Sequence, residues 1–432
     1  GDFDPAVITP LVAELFGQWT SKEPYTRVPN PYTPQAGAKI ALEAPDKENA
    51  VFRAGQRVNL KDSDPDFPAM MLGNFMTGGG FLNSRLANRL RQKDGLCYNV
   101  GSMFFGSAFD REVFEDTAYA DLIRSQCRIG SIENSLKFDW LCPDGPLPDY
   151  TAADRLVDFA AAAGLHTRGT ALIWNDWPPD WLKWISVSER RTVLERHVEE
   201  TVARYAGRVQ SWDVVNEPFF PPHGAEGGYR QGPWLAAMGP NYIDDAFRRA
   251  AAADPAAQLV LNEAFCEQGD ELGLSIRPLL LDQVKRMKDA GLKLDAVGFE
   301  AHLKPHLPYD DDAFADFVRR IAAEGVEVLI TELDVDDSAY ADDIAARDAA
   351  VAQRVSGFLD AVLAVPQVVS VVTWHLSDRY SWYRGADWYA EEVAAAGGTR
   401  ARPVRSHLFD DDFNPKPAAF AARDALARSA PR

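Results

Sequence analysis

From about residue 104 onward, short apolar runs alternate with longer segments whose apolar positions recur every three or four residues. The runs lie at 104–109, 127–132, 170–174, 209–216, 258–262, 294–299, 326–331 and 368–374, and their length and β-branched content predict strands. The segments between them predict helices. In residues 151–164, Thr151 is placed to cap the first turn and Asp154 to close a capping box, ahead of an apolar face of Leu156, Phe159, Ala160 and Ala163. In residues 312–325, Phe314, Phe317, Val318 and Ile321 form the stripe and Gly325 supplies the stop. Eight strand and helix repeats in roughly 330 residues predict a closed (β/α)8 TIM barrel, with a doubly wound open sheet as the competing α/β arrangement.

Residues 1–101 stand outside this rhythm. A proline-rich stretch at 28–34 precedes alternating segments around 51–60 and 64–80, and the triplet at 78–80 leads into a charged helix at 82–95. A glycine-rich turn before a basic helix can cradle an anion, but no GxxxxGK[ST] motif is present, so a packing turn and a solvated helix face account for the same residues. The chain is therefore read as a mixed α/β segment, 1–101, followed by the barrel, 102–432.

Composition narrows the partners. The 432 residues are 46% hydrophobic, enough for a large core, and no apolar run is long enough to cross a bilayer. A formal charge of −19 argues against nucleic acid and anionic membrane surfaces and favours a neutral or weakly charged substrate. Cys97, Cys127, Cys142 and Cys266 form no CxxC pair, so neither a zinc site nor a thioredoxin-like site is expected, and buried or incidental thiols are favoured over disulfides. No spacing compels a structural cation on a barrel loop, and neither metal nor cofactor is expected. The start at Gly1, without an initiator Met or signal peptide, suggests a processed or excised product.

Two strand patterns end in glutamate: VQSWDVVN runs into Glu217, and VEVLIT into Glu332. Carboxyl groups delivered to one rim of a barrel by different strands are what chemistry on a glycosidic bond requires. A retaining mechanism needs an acid/base and a nucleophile about 5–5.5 Å apart, and an inverting one a wider gap that admits water. Taken singly, each is better explained as a solvated loop acid than as a catalyst.

The segments WDVVNEP (212–218), VGFEAHL (297–303), ITELD (330–334) and WHLSDRYSW (374–382), in that order, resemble glycoside hydrolase family 10, whose characteristic activity is endo-β-1,4-xylanase. The resemblance runs from about residue 104 through LFDDDFNPKP at 408–417. It implies Glu217 as acid/base and Glu332 as nucleophile of a retaining double displacement through a covalent glycosyl-enzyme. Asn216 would bond the sugar 2-hydroxyl, and His302, with Asp334 in support, would orient Glu332. The strand-two segment SIENSLKFDW (131–140) implies Glu133, Asn134 and Lys137 as hydroxyl binders on the nonreducing side. Trp174, Trp374 and Trp382 would pack against sugar faces, with Trp234 as a loop anchor. A β-1,4-linked xylose-containing polysaccharide or oligosaccharide is the implied substrate, and secretion or periplasmic placement follows from it.

Three positions depart from the family pattern. Thr170 and Asn175 stand where histidines are usual, the first a direct sugar contact, and Glu300 stands where a glutamine is usual. An ionised Glu300 would repel Glu332 and raise the pKa of a coupled pair, or would engage Arg379 or another hydroxyl. These changes bear on the sugar more than on glycoside hydrolysis. The alternatives are a related retaining β-glycosidase with altered specificity and a noncatalytic carbohydrate-binding barrel.

The front segment, through its GDFDP start, EAPDKENA (43–50) and GGGFLNSRLANRLRQKDGLCY (78–98), resembles part of a domain of the pitrilysin and processing-peptidase family. That family's HxxEH zinc motif is absent from this sequence, so the resemblance implies a noncatalytic fragment. Arg91 and Tyr98 would descend from substrate-contacting positions, and a protein partner of this segment is left open.

Overall fold

The computed structural model describes residues 103–429 together with residues 9, 10 and 12–14. Eight strands form the barrel wall: β1 (Phe104–Phe109), β2 (Ile129–Ile132), β3 (His166–Gly169), β4 (Ser211–Asn216), β5 (Gln258–Glu263), β6 (Ala296–Phe299), β7 (Glu327–Val335) and β8 (Val368–Thr373). All pair in parallel with their sequence neighbours. β8 pairs with β7 and also with β1, where Phe104 lies opposite Ser370 and Ser107 opposite Thr373, so the sheet closes. Two short pieces, Ile173–Trp174 and His302–Leu303, extend the wall by pairing with β4 and β7. Closure leaves no open edge and brings every strand's carboxyl end to one rim.

The strand expected at 170–174 starts earlier. β3 occupies His166–Gly169, and of the expected segment only Ile173–Trp174 is paired. The polar sequence HTRG hid the strand because Arg168 is buried in an ion pair with Asp213 of β4, both side chains 1% exposed. An apolar search passes over a barrel position filled by charge.

The alternation along the other strands sorts residues to two sides. Leu259 and Leu261, Val297 and Phe299, and Val328 and Ile330 belong to the main core between sheet and helices. Val260, Ala296, Leu329 and Val369, one from each of β5 to β8, form a separate apolar cluster that plugs the barrel. Nearer the carboxyl ends the filling becomes polar. A Cβ at Gly298 would sit 2.1 Å from Asn262 Oδ1 and 2.9 Å from Thr331 Cγ2, so the glycine makes room for the Asn262 side chain.

The helices follow the expected stripes with different caps. Helix Thr151–Ala162 has no side-chain cap from Thr151, whose own N–H donates to Asp149 Oδ1 at 2.9 Å. Asp154 closes no capping box because it accepts from Arg204 Nε at 3.0 Å and Tyr205 Oη at 2.9 Å. Helix Asp311–Ala322 is capped by Asp310, whose Oδ1 accepts from Ala313 N at 2.9 Å, and it buries Phe314, Phe317, Val318 and Ile321.

Cys127, Cys142 and Cys266 are buried and unpaired. Among the described residues no helix is long and apolar enough to cross a membrane. The chain separates into units Gly1–Leu72 and Gly73–Arg432, and in the first of these residues 9, 10 and 12–14 are helical and exposed. The segments expected at 51–60, 64–80 and 82–95, with Arg91, Cys97 and Tyr98, lie outside the described residues, as does the division near residue 101.

The Arg168 and Asp213 pair gives a direct test of charge inside the barrel. Arg168→Met alone leaves a buried carboxylate and is expected to lower unfolding free energy in urea by about 3–5 kcal/mol. Adding Asp213→Leu removes that charge and is expected to recover most of the loss. Equal losses in the single and double variants would contradict this account.

Candidate active site

Four consecutive strands carry a glutamate at or near their carboxyl ends. Glu217 follows β4, Glu263 closes β5, Glu300 follows β6 and Glu332 lies within β7. Backbone bonds continue the barrel ladder through them: Glu217 N donates to Asn262 O at 2.9 Å, Glu300 N to Glu263 O at 3.1 Å, and Glu332 N to Glu300 O at 2.9 Å. Glu217 departs from strand geometry with φ of 48°, a left-handed conformation uncommon for a residue with a side chain.

Asn262 holds this arrangement from below. Its Nδ2 donates to Asn216 Oδ1 at 2.7 Å and to Glu332 Oε1 at 3.2 Å, while its Oδ1 accepts from Thr331 Oγ1 at 2.8 Å. Asn216 Nδ2 in turn reaches Glu217 Oε1 at 3.5 Å. One amide thus links β4, β5 and β7, and sets the two glutamates and the intervening asparagine in a common frame.

Cations flank the carboxyl groups. Arg230 pairs with Glu217 and with Asp176, and its Nε donates to the Glu217 carbonyl at 2.9 Å. On the other side His302 Nε2 lies 3.3 Å from Glu332 Oε2, and its Nδ1 lies 2.9 Å from Asp334 Oδ1. Asp334 also accepts from Trp382 Nε1 at 2.7 Å and Tyr383 Oη at 2.8 Å. Burial opposes the His302 imidazolium, but Asp334 and Glu332 outweigh it and lift His302 to about 10.

The acids shift in a consistent direction. Burial raises the Glu332 carboxyl, against the pull of His302 and Lys137. Burial, then the charges of Glu217 and Glu332, push Glu300 well above the usual range. Glu263 is likewise pushed up by burial, opposed by Arg230, while its oxygens accept from Ala264 N at 3.0 Å and Phe219 N at 3.2 Å. That direction favours the neutral Glu300 carboxyl, which can donate where an ionised carboxylate would repel. The expected partnership with Arg379 is not formed, because Arg379 pairs with Asp116 at 3.0 Å and donates to Asp411 O at 2.6 Å.

A second cluster lies at β2 and β8. Glu133 pairs with His375 Nε2 at 2.9 Å, and Tyr119 Oη lies 3.2 Å from Nδ1. Burial disfavours both charges, yet each holds the other: His375 rises to about 9 and Glu133 falls below its ordinary value. Lys137 Nζ donates to Asn134 Oδ1 at 3.0 Å and sits 5.4 Å and 5.7 Å from the ring centroids of Trp174 and Trp374. Trp374 is buried and Trp382 is 38% exposed.

The departures from pattern have distinct settings. Thr170 is buried. Asn175, expected among the sugar contacts, is also buried, and its Oδ1 accepts from Trp234 N at 3.2 Å and Leu235 N at 3.4 Å at the start of helix Pro233–Met238. Its carbonyl oxygen is thus committed to a helix end. Trp234 is a buried anchor whose Nε1 donates to Trp174 O at 3.0 Å.

Sequence reasoning passed over Asn262, Glu263, Arg230 and His375. Asn262 and Glu263 carried the same polar strand-end signal as Asn216 and Glu217, whereas Arg230 comes from a loop with no periodicity to mark it. Ligand atoms of Glu300, His302 and Glu332 lie within 4.8 Å of one another, a donor set able to meet a cation, although both His302 nitrogens face carboxylates within the site.

Comparison with known proteins agrees with this geometry. The model described as Glycosyl hydrolase family 10 matches residues 95–425, and that described as Peptidase M16 inactive domain matches residues 1–121. Endo-1,4-beta-xylanase C of Phanerodontia chrysosporium is 30% identical over 290 residues, covering 66% of this chain and 69% of the relative. Endo-1,4-beta-xylanase 5 of Pyricularia oryzae is 30% identical over 342 residues, covering 78% and 79%. Native xylanase 10B from Thermotoga maritima superposes with a TM-score of 0.66 at 27% identity, covering 76% of this chain and 95% of that one. Xylanase 10B from Thermotoga petrophila, solved with xylobiose, gives the same TM-score and identity over 76% and 94%. With strand-end glutamates, barrel closure and a family match across most of its length, the chain belongs to glycosyl hydrolase family 10.

Proposed function

We propose that this protein is a retaining endo-β-1,4-xylanase-like glycoside hydrolase acting on a β-1,4-linked xylose-containing polymer or oligomer. The observation that carries the reading is the Asn262 brace, which sets Asn216 between Glu217 and Glu332 at the barrel rim. In the first step Glu217 gives its proton to the glycosidic oxygen while a Glu332 oxygen bonds to the anomeric carbon, and the leaving alcohol departs. In the second, Glu217 takes a proton from water as that water attacks the anomeric carbon, and Glu332 is released as carboxylate.

The surrounding residues support these steps by stabilising charge and position. Asn216 offers its amide to the sugar 2-hydroxyl, a bond that strengthens as positive charge develops. The His302 imidazolium steadies the Glu332 carboxylate, and Asp334 fixes the ring. Lys137, Asn134 and Glu133 present donors and acceptors on the nonreducing side, and Trp174, Trp374 and Trp382 supply apolar faces. Substrates of this kind lie outside the cytoplasm, which supports a secreted or periplasmic location; cell fractionation of the producing organism tests it.

A related β-glycoside as preferred substrate is favoured by Thr170 and Glu300, which alter donors around the sugar. Thr170→His with Glu300→Gln is expected to raise turnover of xylooligosaccharides. Unchanged or reduced turnover would count against redirected specificity.

Mass spectrometry after incubation with a fluorinated glycoside is expected to find the label on Glu332, which separates an enzyme from a noncatalytic binding barrel. Glu217→Ala is expected to cut kcat/KM on xylooligosaccharides by about 10²–10⁴-fold, with a much smaller loss of the first step on aryl glycosides carrying a good leaving group. Binding without turnover or labelling across xylans, glucans and aryl β-glycosides would overturn the mechanism.

His302 also ties stability to pH. Its folded value of about 10 lies above the unfolded value near 6.5, so its contribution is complete below about pH 6.5 and is lost as pH rises to about 10. Relative to His302→Gln, the wild-type advantage in thermal melts is expected to shrink across that interval. An advantage constant from pH 6 to 10, about the span of the titration, would contradict the assignment.

A further inference from the structure

Asp336 and Asp337 follow β7 directly and are both fully buried, yet their carboxylates are treated differently. Asp337 accepts from Tyr389 Oη at 2.6 Å, Ser406 Oγ at 2.9 Å and Arg405 N at 3.2 Å, and faces Arg347 Nη1 at 3.2 Å. Asp336 Oδ1 accepts from Ser338 N at 2.9 Å, but among the described residues no N–H, hydroxyl or cationic group reaches its Oδ2, and the group within hydrogen-bonding reach of this carboxylate is the Glu392 carboxyl. A buried carboxylate oxygen without a donor is costly to the fold.

What meets Asp336 is a second carboxyl group. Glu392, from helix Asp387–Ala395 beyond β8, lies beside it and also accepts from Ser338 Oγ at 3.3 Å. His306, in the loop beyond β6, completes the group. One ligand atom from each of His306, Asp336 and Glu392 lies within 4.8 Å of the other two. His306 is exposed, which leaves an approach from solvent and freedom to adjust.

We propose that His306, Asp336 and Glu392 form a binding site for a divalent transition ion of the zinc class. One imidazole and two carboxylates suit such an ion, and three protein ligands leave a position for water. The ion would supply the positive charge that Asp336 Oδ2 lacks, and would tie together the segments following β6, β7 and β8. The segment after β8 also carries Trp382, bonded to Asp334 on β7, so the site acts as a staple on loops that frame the cleft. It is separate from the glutamates that carry the chemistry. Lys304, its Nζ 6.0 Å from the Trp388 ring, is the neighbouring protein cation and the natural competitor for this charge.

The test uses the full chain stripped with EDTA, then exposed to zinc, manganese or calcium chloride in thermal melts and titration calorimetry. Zinc is expected to bind at one equivalent and to raise the Tm by about 3–6 °C near saturation. Glu392→Gln and His306→Ala are each expected to weaken binding at least about tenfold and to remove most of the shift. Asp336→Asn tests the buried ligand, and the surface variant His306→Ala keeps the test valid where Asp336→Asn fails to fold. Glu332→Gln should retain the shift, which distinguishes this site from the glutamates of the cleft. No binding, a shift unaltered by His306→Ala and Glu392→Gln, or a shift with calcium alone would overturn the proposal. A proton shared by Asp336 and Glu392 would instead give stability that varies with pH and ignores the metal, which also overturns it.

Discussion

Four largely buried carboxyl groups gather at one rim, and burial works against their ionised forms. Glu217, Glu263, Glu300 and Glu332 come from four adjacent strands, and among the described residues Arg230 and His302 are the cations paired with them. These side chains are largely buried, where uncompensated charge is costly, so burial favours the neutral form of an acid in this group. Burial acts most strongly on Glu263 and Glu300, whose carboxyl groups are lifted well above the usual range first by burial and then by the charge of neighbouring acids. The barrel sets how close the acids are, and their closeness sets which of them can hold a charge.

Geometry and electrostatics meet at two side chains. Asn262 fixes distances among three strands with neutral hydrogen bonds and adds no charge to the crowded site. It fits because Gly298 leaves it space. Arg230 does the complementary work, gripping both the carboxylate and the carbonyl of Glu217 and so holding the unusual backbone turn there. Lys137 adds a further positive charge close to the tryptophans without competing for the acids by direct contact.

The sequence made the barrel and its reactive rim readable because apolar strand interiors end abruptly in polar groups. Glu217 and Glu332 stood out on that signal, and four ordered segments gave it meaning. β3 escaped because an ion pair, Arg168 with Asp213, replaces apolar filling, and ion pairs between distant residues leave no local period. Arg230 and His375 escaped for a related reason, since their roles depend on partners outside their own segments, Glu217 and Asp176 for the first and Glu133 for the second. Asn175 has a further role that its family position did not suggest, since its Oδ1 accepts from the start of a helix. Spacing can nominate a residue for the rim, but the direction of a short side chain depends on which donors the fold brings to it.

Asp334 gathers His302, Trp382 and Tyr383 onto one carboxylate. The same group therefore anchors the ring that tunes Glu332 and the half-exposed tryptophan on the loop after β8. That loop cannot swing outward without breaking a bond to the carboxylate that steadies the histidine. Displacing the Trp382 indole would therefore disturb the same carboxylate that holds the His302 ring against Glu332, which joins the position of that loop to the setting of this acid.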